Sequence, residues 1–181
     1  MKPVPLRRST GLPAAALVAL LALGGCATPA PEAVATAELA PTRGHATTGQ
    51  LRFEQRGDQV QVTGEVRGLR PGAEHGFHVH EKGDCSSGDG LSTGGHFNPG
   101  GVAHGRHGAG SHHAGDLPSL VADAQGVARV AFTTRAISLR AGAPAGVVGR
   151  GLIVHRDPDD YTTQPTGNAG PRLACAVIAS R

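Results

Sequence analysis

Histidine is the residue type most able to do chemistry in this chain, which has ten of them among 181 residues. His78 and His80 flank Val79 in a stretch that predicts a β-strand. Residues i and i+2 of a strand point to the same face, so both imidazoles can reach one ion. A His-x-His pair alone is weak evidence, because a strand histidine is more often an ordinary polar residue.

Further ligand-type residues strengthen the metal hypothesis. They are His96, His104, His107, His112, His113 and Asp116, followed later by His155 at the end of an apolar strand. An imidazole set with one carboxylate suits zinc, and an all-imidazole set suits copper. The alternative is a histidine-rich loop exposed to solvent. Such a loop would have no need of a carboxylate at Asp116. It would also not explain His155, which the pattern predicts to be buried.

Strands with a period of two must position these residues. Leu51 and Phe53 alternate with polar neighbours, and after a turn at Gly57-Asp58 so do Val60 and Val62. Further strands are predicted at 74–80, 120–122, 127–134, 151–155 and 173–178, and no stretch has a useful helical period. Two long polar connections, 81–115 and 156–171, separate them. Long loops of this kind are uncommon in a small domain unless they are functional.

Composition excludes some classes of protein. Charged residues make up 17% of the chain and aromatic residues 3%, with 28 Gly, which argues against a coiled coil or helical bundle. The net charge of +3 comes from Lys2, Arg7 and Arg8, and the rest of the chain is neutral. We therefore expect no nucleic acid as a partner.

Residues 1–25 have the features of a signal peptide: a basic start, an apolar run at 11–23 and the end Leu23-Gly24-Gly25 before Cys26. This end resembles a bacterial lipobox, which predicts lipidation of Cys26; an ordinary signal peptide is the alternative. The Ala-, Pro- and Thr-rich composition predicts a flexible tether over 26–45. The domain is then expected at 46–181.

Three cysteines fit an exported protein. With Cys26 assigned to lipid, Cys85 and Cys175 remain as an even pair, and in an oxidising compartment a disulfide between them is expected. Two buried free thiols are the alternative.

Four motifs together resemble the copper/zinc superoxide dismutases. They are His75-Gly76-Phe77-His78-Val79-His80-Glu81, Gly95-His96-Phe97-Asn98-Pro99, His113-Ala114-Gly115-Asp116 and Gly167-Asn168-Ala169-Gly170-Pro171-Arg172-Leu173-Ala174-Cys175. The resemblance covers about 50–179 in order. It implies a flattened Greek-key β-barrel or sandwich of about eight antiparallel strands with two long functional loops.

The resemblance also implies roles for individual residues. Copper would be held by His78, His80, His96 and His155, and zinc by His96, His104, His113 and Asp116, with His96 bridging the two ions. Arg172 would guide the anion, and Arg172 and His96 would be the catalytic residues. Asp159 would link ligands of both sites, Cys85 and Cys175 would form the family's disulfide, and His75 would be structural.

The chain departs from the family pattern at some positions. Lys2 and Lys82 are its only lysines, and Gln164 and Pro165 stand where the resemblance leads us to expect a lysine that attracts the substrate. His107 and His112 have no family role and are interpreted as loop residues.

The expected function is dismutation of superoxide to dioxygen and hydrogen peroxide by a membrane-tethered enzyme outside the cytoplasm, in the periplasm or cell envelope. Ala27 in place of Asp after the lipidated cysteine favours the outer membrane. The competing hypothesis is a non-catalytic module that stores or delivers copper, but such relatives tend to lose copper ligands or the arginine. A homodimer is among the open oligomeric states.

Overall fold

The computed structural model describes Met1 and residues 30–181. The predicted signal peptide after Met1 and the predicted lipidation site, Cys26, lie outside the described residues. In the described part, no helix has the length and apolar character needed to cross a membrane.

The described residues form ten β-strands and one short 3₁₀ turn at Leu91–Thr93. The strands are β1 (Ala33–Pro41), β2 (Thr48–Arg56), β3 (Gln59–Arg67), β4 (Glu74–His75), β5 (Phe77–His80), β6 (Leu120–Val121), β7 (Ala128–Thr134), β8 (Gly151–His155), β9 (Arg172–Val177) and β10 (Ala179–Ser180).

Eight strands make one antiparallel sheet in the order β5-β8-β9-β1-β2-β3-β7, with β10 beside β1, while β4 and β6 pair separately. The sheet curls into a half-barrel, which confirms the predicted all-β antiparallel architecture. Two long connections join β5 to β6 and β8 to β9, and the first of them contains four of the seven candidate ligands. We call them the first loop (81–119) and the second loop (156–171).

The period-two pattern of β2 and β3 arises because one face of these strands lies in the core. Phe53 of β2 pairs with Val62 of β3, and both side chains are fully buried. Burying an aliphatic or aromatic side chain of this size contributes about 1.5–3 kcal/mol. These alternating residues therefore hold the curved sheet that carries the site.

The flexible tether predicted for 26–45 is wrong from Ala33 onward. β1 pairs with β2 along Ala33–Leu39 and then with β9 through Ala40 and Pro41. Its alternate side chains, among them Ala35 and Ala37, are buried in the core. Small side chains suffice here because β1 lies in the interior of the sheet between β2 and β9. The domain thus begins before residue 46.

β5 and β8 are buried on both faces. One face places Phe77 and Val79 in the hydrophobic core. The opposite face presents His78 and His80, and the neighbouring strand β8 ends in His155. Burial of this second face comes from the two loops, which fold over the histidines.

Candidate metal centre

Backbone hydrogen bonds hold the first loop against β5. Phe97 N donates to Val79 O (2.8 Å), and Val79 N donates to Gly115 O (2.9 Å). Gly115 is required at this close approach, since a Cβ on it would overlap Val79 O. The bridges His80↔His96 and His78↔Asp116 place loop residues directly beside the strand histidines.

Four buried histidines form the first ligand group: His78, His80, His96 and His155. One nitrogen of each faces the group, and these atoms lie within 4.8 Å of one another. His78 Nδ1 and the Nε2 atoms of the other three are buried and have no hydrogen-bond partner. Buried polar atoms are rarely left without a partner, so four that converge indicate a ligand shell.

The second group is His96, His104, His113 and Asp116, all buried. The Nδ1 atoms of its three histidines lie 2.9, 3.1 and 3.3 Å from Asp116 Oδ1, in chain order. Three imidazoles and one carboxylate in a four-ligand cluster are a donor set typical of zinc.

His96 belongs to both groups through different atoms. Its Nδ1 points to Asp116 and its Nε2 points into the all-histidine group. The residues therefore fit two ions that share one imidazole, with copper suited to the nitrogen-only set and zinc to the set that contains a carboxylate.

The remaining ring nitrogens are held by acceptors that fix each imidazole. His80 Nδ1 donates to Gly94 O (2.9 Å), and His155 Nδ1 donates to Gly170 O (3.1 Å). Asp159 connects the two groups, because its carboxylate accepts from His78 Nε2 (2.7 Å) and His104 Nε2 (2.8 Å). Such acceptors set the tautomer, so the opposite nitrogen carries the lone pair that a metal needs.

Burial also keeps the strand histidines neutral. It lowers the pKa of His155 to about 4 and lowers the pKa values of His78 and His80 well below the usual value. The pKa of Asp116 is lowered although burial opposes this, because His96 and the His113 backbone donate hydrogen bonds to it. The three strand histidines are thus held neutral and Asp116 is held anionic, as metal binding requires.

Arg172 lies beside the all-histidine group at the start of β9. Its guanidinium donates to Gly90 O (2.6 Å), Thr93 Oγ1 (2.7 Å) and Gly94 O (2.8 Å). The disulfide between Cys85 and Cys175 joins the segment that provides these acceptors to β9. The same stretch of the first loop is therefore fixed by a covalent bond and by the arginine.

A channel of about 380 Å³ reaches the all-histidine group from the surface. His80, His96, His155 and Arg172 line it, and so do residues 168–171 of the second loop. Arg43, His45 and Asp89 also line it. The opening leads a small solute to the one group whose ligands are all imidazoles.

The sequence model of a protein family, copper/zinc superoxide dismutase, matches residues 47–178 of this chain. The chain belongs to this family. The superoxide dismutase [Cu-Zn] of Paramecium bursaria Chlorella virus 1 is 40% identical over 136 residues, which cover 72% of this chain and 71% of the viral protein. The enzyme of the same name from Onchocerca volvulus is 39% identical over 157 residues, covering 81% and 97%.

Two solved structures superpose on the fold. A double mutant of a superoxide dismutase-like protein from Bacillus subtilis has a TM-score of 0.72 at 37% identity and covers 80% of this chain and 96% of its own. The clock protein EA4 has a TM-score of 0.74 at 39% identity, covering 84% and 97%. The family match and the two relatives named superoxide dismutase [Cu-Zn] show that the chain is a superoxide dismutase that uses copper and zinc.

The structure brings together all the residues that the sequence nominated as ligands. It also places Asp159 between both groups and joins the predicted cysteine pair. His75 lies in neither group; its Nδ1 donates to His155 O (2.9 Å) and so holds the end of β8.

Other histidines support the loop. His107 Nδ1 donates to Asp116 O (2.9 Å), and His112 Nδ1 donates to His113 O (2.8 Å). Neither residue belongs to a ligand group. Both bonds support the backbone of a zinc-type ligand.

Sequence reasoning missed one residue that positions a ligand in this dismutase. Gln164 Oε1 accepts from His104 N (2.8 Å), and Gln164 Nε2 donates to His104 O (3.0 Å). The amide thus fastens the second loop to a ligand of the first. A glutamine in a polar loop has no sequence signal that distinguishes this role.

Proposed function

We propose specific roles for the residues of the two groups. Copper would be held by His78 Nδ1 and by Nε2 of His80, His96 and His155, and zinc would be held by Asp116 and by Nδ1 of His96, His104 and His113. The support is the set of buried nitrogens without hydrogen-bond partners and their convergence.

The reaction converts two superoxide anions and two protons into one dioxygen and one hydrogen peroxide. Copper supplies the one-electron redox change when bound. Arg172 binds the anion in the channel, because a fixed guanidinium fork suits a small oxyanion. With Nε2 free of copper, His96 would carry one of the two protons that the reduced anion needs and would deliver it there, and water would supply the other. Asp159 would keep His78 and His104 in the required tautomer.

One observation carries this assignment: the two nitrogens of His96 face two different ligand groups. The test is direct superoxide decay, by pulse radiolysis, on the domain loaded with one copper and one zinc. We expect decay near the diffusional ceiling of about 10⁸–10⁹ M⁻¹s⁻¹, and its loss when copper alone is removed.

Variants sharpen this test. His155→Ala should abolish turnover and leave the fold intact, whereas Val121→Ala, a control at an exposed residue of β6 outside both groups, should keep the activity. Full activity of His155→Ala would contradict the copper assignment. Slow decay at full metal occupancy would instead favour the copper-handling hypothesis.

We infer further that the enzyme works outside the cytoplasm, in the periplasm or cell envelope, as a lipoprotein anchored through Cys26. The leader with its terminal Gly-Gly-Cys and the disulfide between Cys85 and Cys175 support this. Ala27 favours the outer membrane.

Cell fractionation tests this location. Cys26→Ser should move the protein from the membrane to the soluble fraction, and mass spectrometry of the wild-type N-terminus should find the lipid. An unprocessed N-terminus would contradict the proposal. Sedimentation velocity distinguishes a monomer from a homodimer.

A further inference from the structure

The second loop frames the channel but provides little attraction for an anion. It contains no lysine, and its charged residues are Arg156, Asp157, Asp159 and Asp160. Arg156 is paired with Asp157 at 2.9 Å. The loop therefore has an excess of negative charge, although the substrate is an anion. Positive charge that draws superoxide inward must come from another wall of the channel.

Arg43 lies on that other wall, in the connection from β1 to β2. It lines the same channel as Arg172 and the copper-type ligands His80, His96 and His155. Its backbone N donates to Gly88 O (2.7 Å), and a Cβ on Gly88 would lie 2.8 Å from the guanidinium. The absence of a side chain at residue 88 lets the guanidinium lie against the first loop.

The charge of Arg43 is not consumed by an ion pair. Other surface arginines, such as Arg135 and Arg140, have carboxylates at 2.8 and 2.7 Å. Within residues 30–181, no carboxylate lies within ion-pair distance of Arg43. Asp89 is the acid that also lines the channel. Its carboxylate accepts a hydrogen bond from the Leu91 backbone N at 2.9 Å, and it also interacts electrostatically with Arg43 and Arg172, so it offsets part of their positive charge.

The channel walls thus carry two arginines, Arg43 and Arg172, against the single carboxylate of Asp89. Arg43 is exposed, whereas Arg172 is half-buried and held by three hydrogen bonds. An exposed charge acts on a diffusing ion before a recessed charge does. A cleft whose walls carry an excess of positive charge then concentrates the electric field along its length.

We propose that Arg43 is a second anion-guiding residue of this channel, which captures superoxide at the rim and passes it to Arg172. The inference rests on the proposed function of the channel. The second loop has an excess of acidic residues and does not attract an anion. In this proposal, Arg43 in the β1–β2 connection provides that attraction instead.

The experiment measures the second-order rate of superoxide decay for wild type and Arg43→Gln, both loaded with copper and zinc, at ionic strengths of about 0.01 and 1 M. We expect the variant to be about threefold slower at low salt and equal to wild type at high salt, where the field is screened. Arg43→Lys should restore most of the rate.

A matched control removes the same charge elsewhere. Arg129 lies on β7, outside the channel, with a side chain 83% exposed and 4.0 Å from the carboxylate of Glu65. Arg129→Gln should leave the rate unchanged at both salt concentrations. An equal loss in Arg129→Gln would mean that net charge, rather than the position of Arg43, sets the rate.

A second readout uses azide, a monoanion that binds copper, followed by its absorption band in the copper-loaded protein. Arg43→Gln should raise the azide dissociation constant about twofold at low salt. An unchanged rate and azide affinity at low salt would overturn the role of Arg43, and so would a loss that persists at 1 M. If wild type itself consumes no superoxide, the proposed function fails, and the azide titration still tests Arg43.

Discussion

Replacing Gly167 with alanine tests whether the second loop positions a metal ligand. Gly167 has φ +65°, and a Cβ there would overlap Asp159 Oδ1 and lie 2.5 Å from His104 Nε2. These two atoms form the hydrogen bond that orients His104. The added methyl group must therefore displace either the loop or the bond.

Two costs add in this variant. A left-handed backbone costs about 1–2 kcal/mol for a residue with a Cβ. Loss of a hydrogen bond to a charged group costs about 1.5–3 kcal/mol. The second cost falls on a zinc-type ligand, so we expect zinc affinity to decrease about 10- to 100-fold, while the core strands remain folded.

Competition with a chromophoric chelator measures the zinc affinity, and circular dichroism checks the fold. Gly142→Ala is the matched control, because Gly142 has φ +72° and nothing lies within 4 Å of a Cβ on it. Gly142→Ala therefore has the same left-handed backbone strain as Gly167→Ala, but its added methyl group overlaps no other atom. If the two variants bind zinc equally well, the hydrogen bond between Asp159 and His104 does not position the ligand.

Three further predictions concern the channel, the disulfide and the second loop. Arg172→Gln should slow superoxide decay about tenfold and weaken its salt dependence, because guanidinium attraction is lost; unchanged pulse-radiolysis kinetics would place anion binding elsewhere. Cys175→Ser should lower the unfolding free energy of the metal-free protein by about 4 kcal/mol, since the bridge closes a loop of about 90 residues; equal denaturant midpoints would contradict this. Hydrogen bonds from the Thr163 side chain, and from the Thr163 and Thr162 backbones, lower the pKa of Asp160 from 3.8 to about 2. The stabilisation is therefore complete above pH 4 and is lost toward pH 2, so the melting-temperature difference between wild type and Asp160→Ala should disappear over that range, and a difference that persists at pH 2 would refute it.

The sheet could be predicted from sequence where strands have one buried face. Phe53 and Val62 follow the period of two because a polar neighbour points outward at every second position. β1 has the same alternation, with Ala35, Ala37 and Leu39 buried. Its side chains are so small that composition predicted a linker instead. Residues 33–41 form a strand because they pair with β2 and β9, and the local sequence contains no signal of this long-range pairing.

The types of the metal ligands were predictable, but the atoms that face the ions were not. Which nitrogen of His78 is available depends on Asp159, which is 81 residues away in the chain. The same holds for Arg43 and Gln164, whose roles arise only when the β1–β2 connection and the second loop meet the first loop. Long-range contacts of this kind leave no local periodicity.

Asp159 and His96 each touch both ligand groups, and this makes the two binding equilibria interdependent. An ion bound in one site fixes the side chains of Asp159 and His96, which the other site also uses. Part of the entropy cost of ordering these side chains is therefore already met when the second ion binds. Thermodynamic reciprocity then requires zinc to strengthen copper binding by the same factor as copper strengthens zinc binding. The abundance of either ion in the enzyme's surroundings therefore governs the occupancy of both sites.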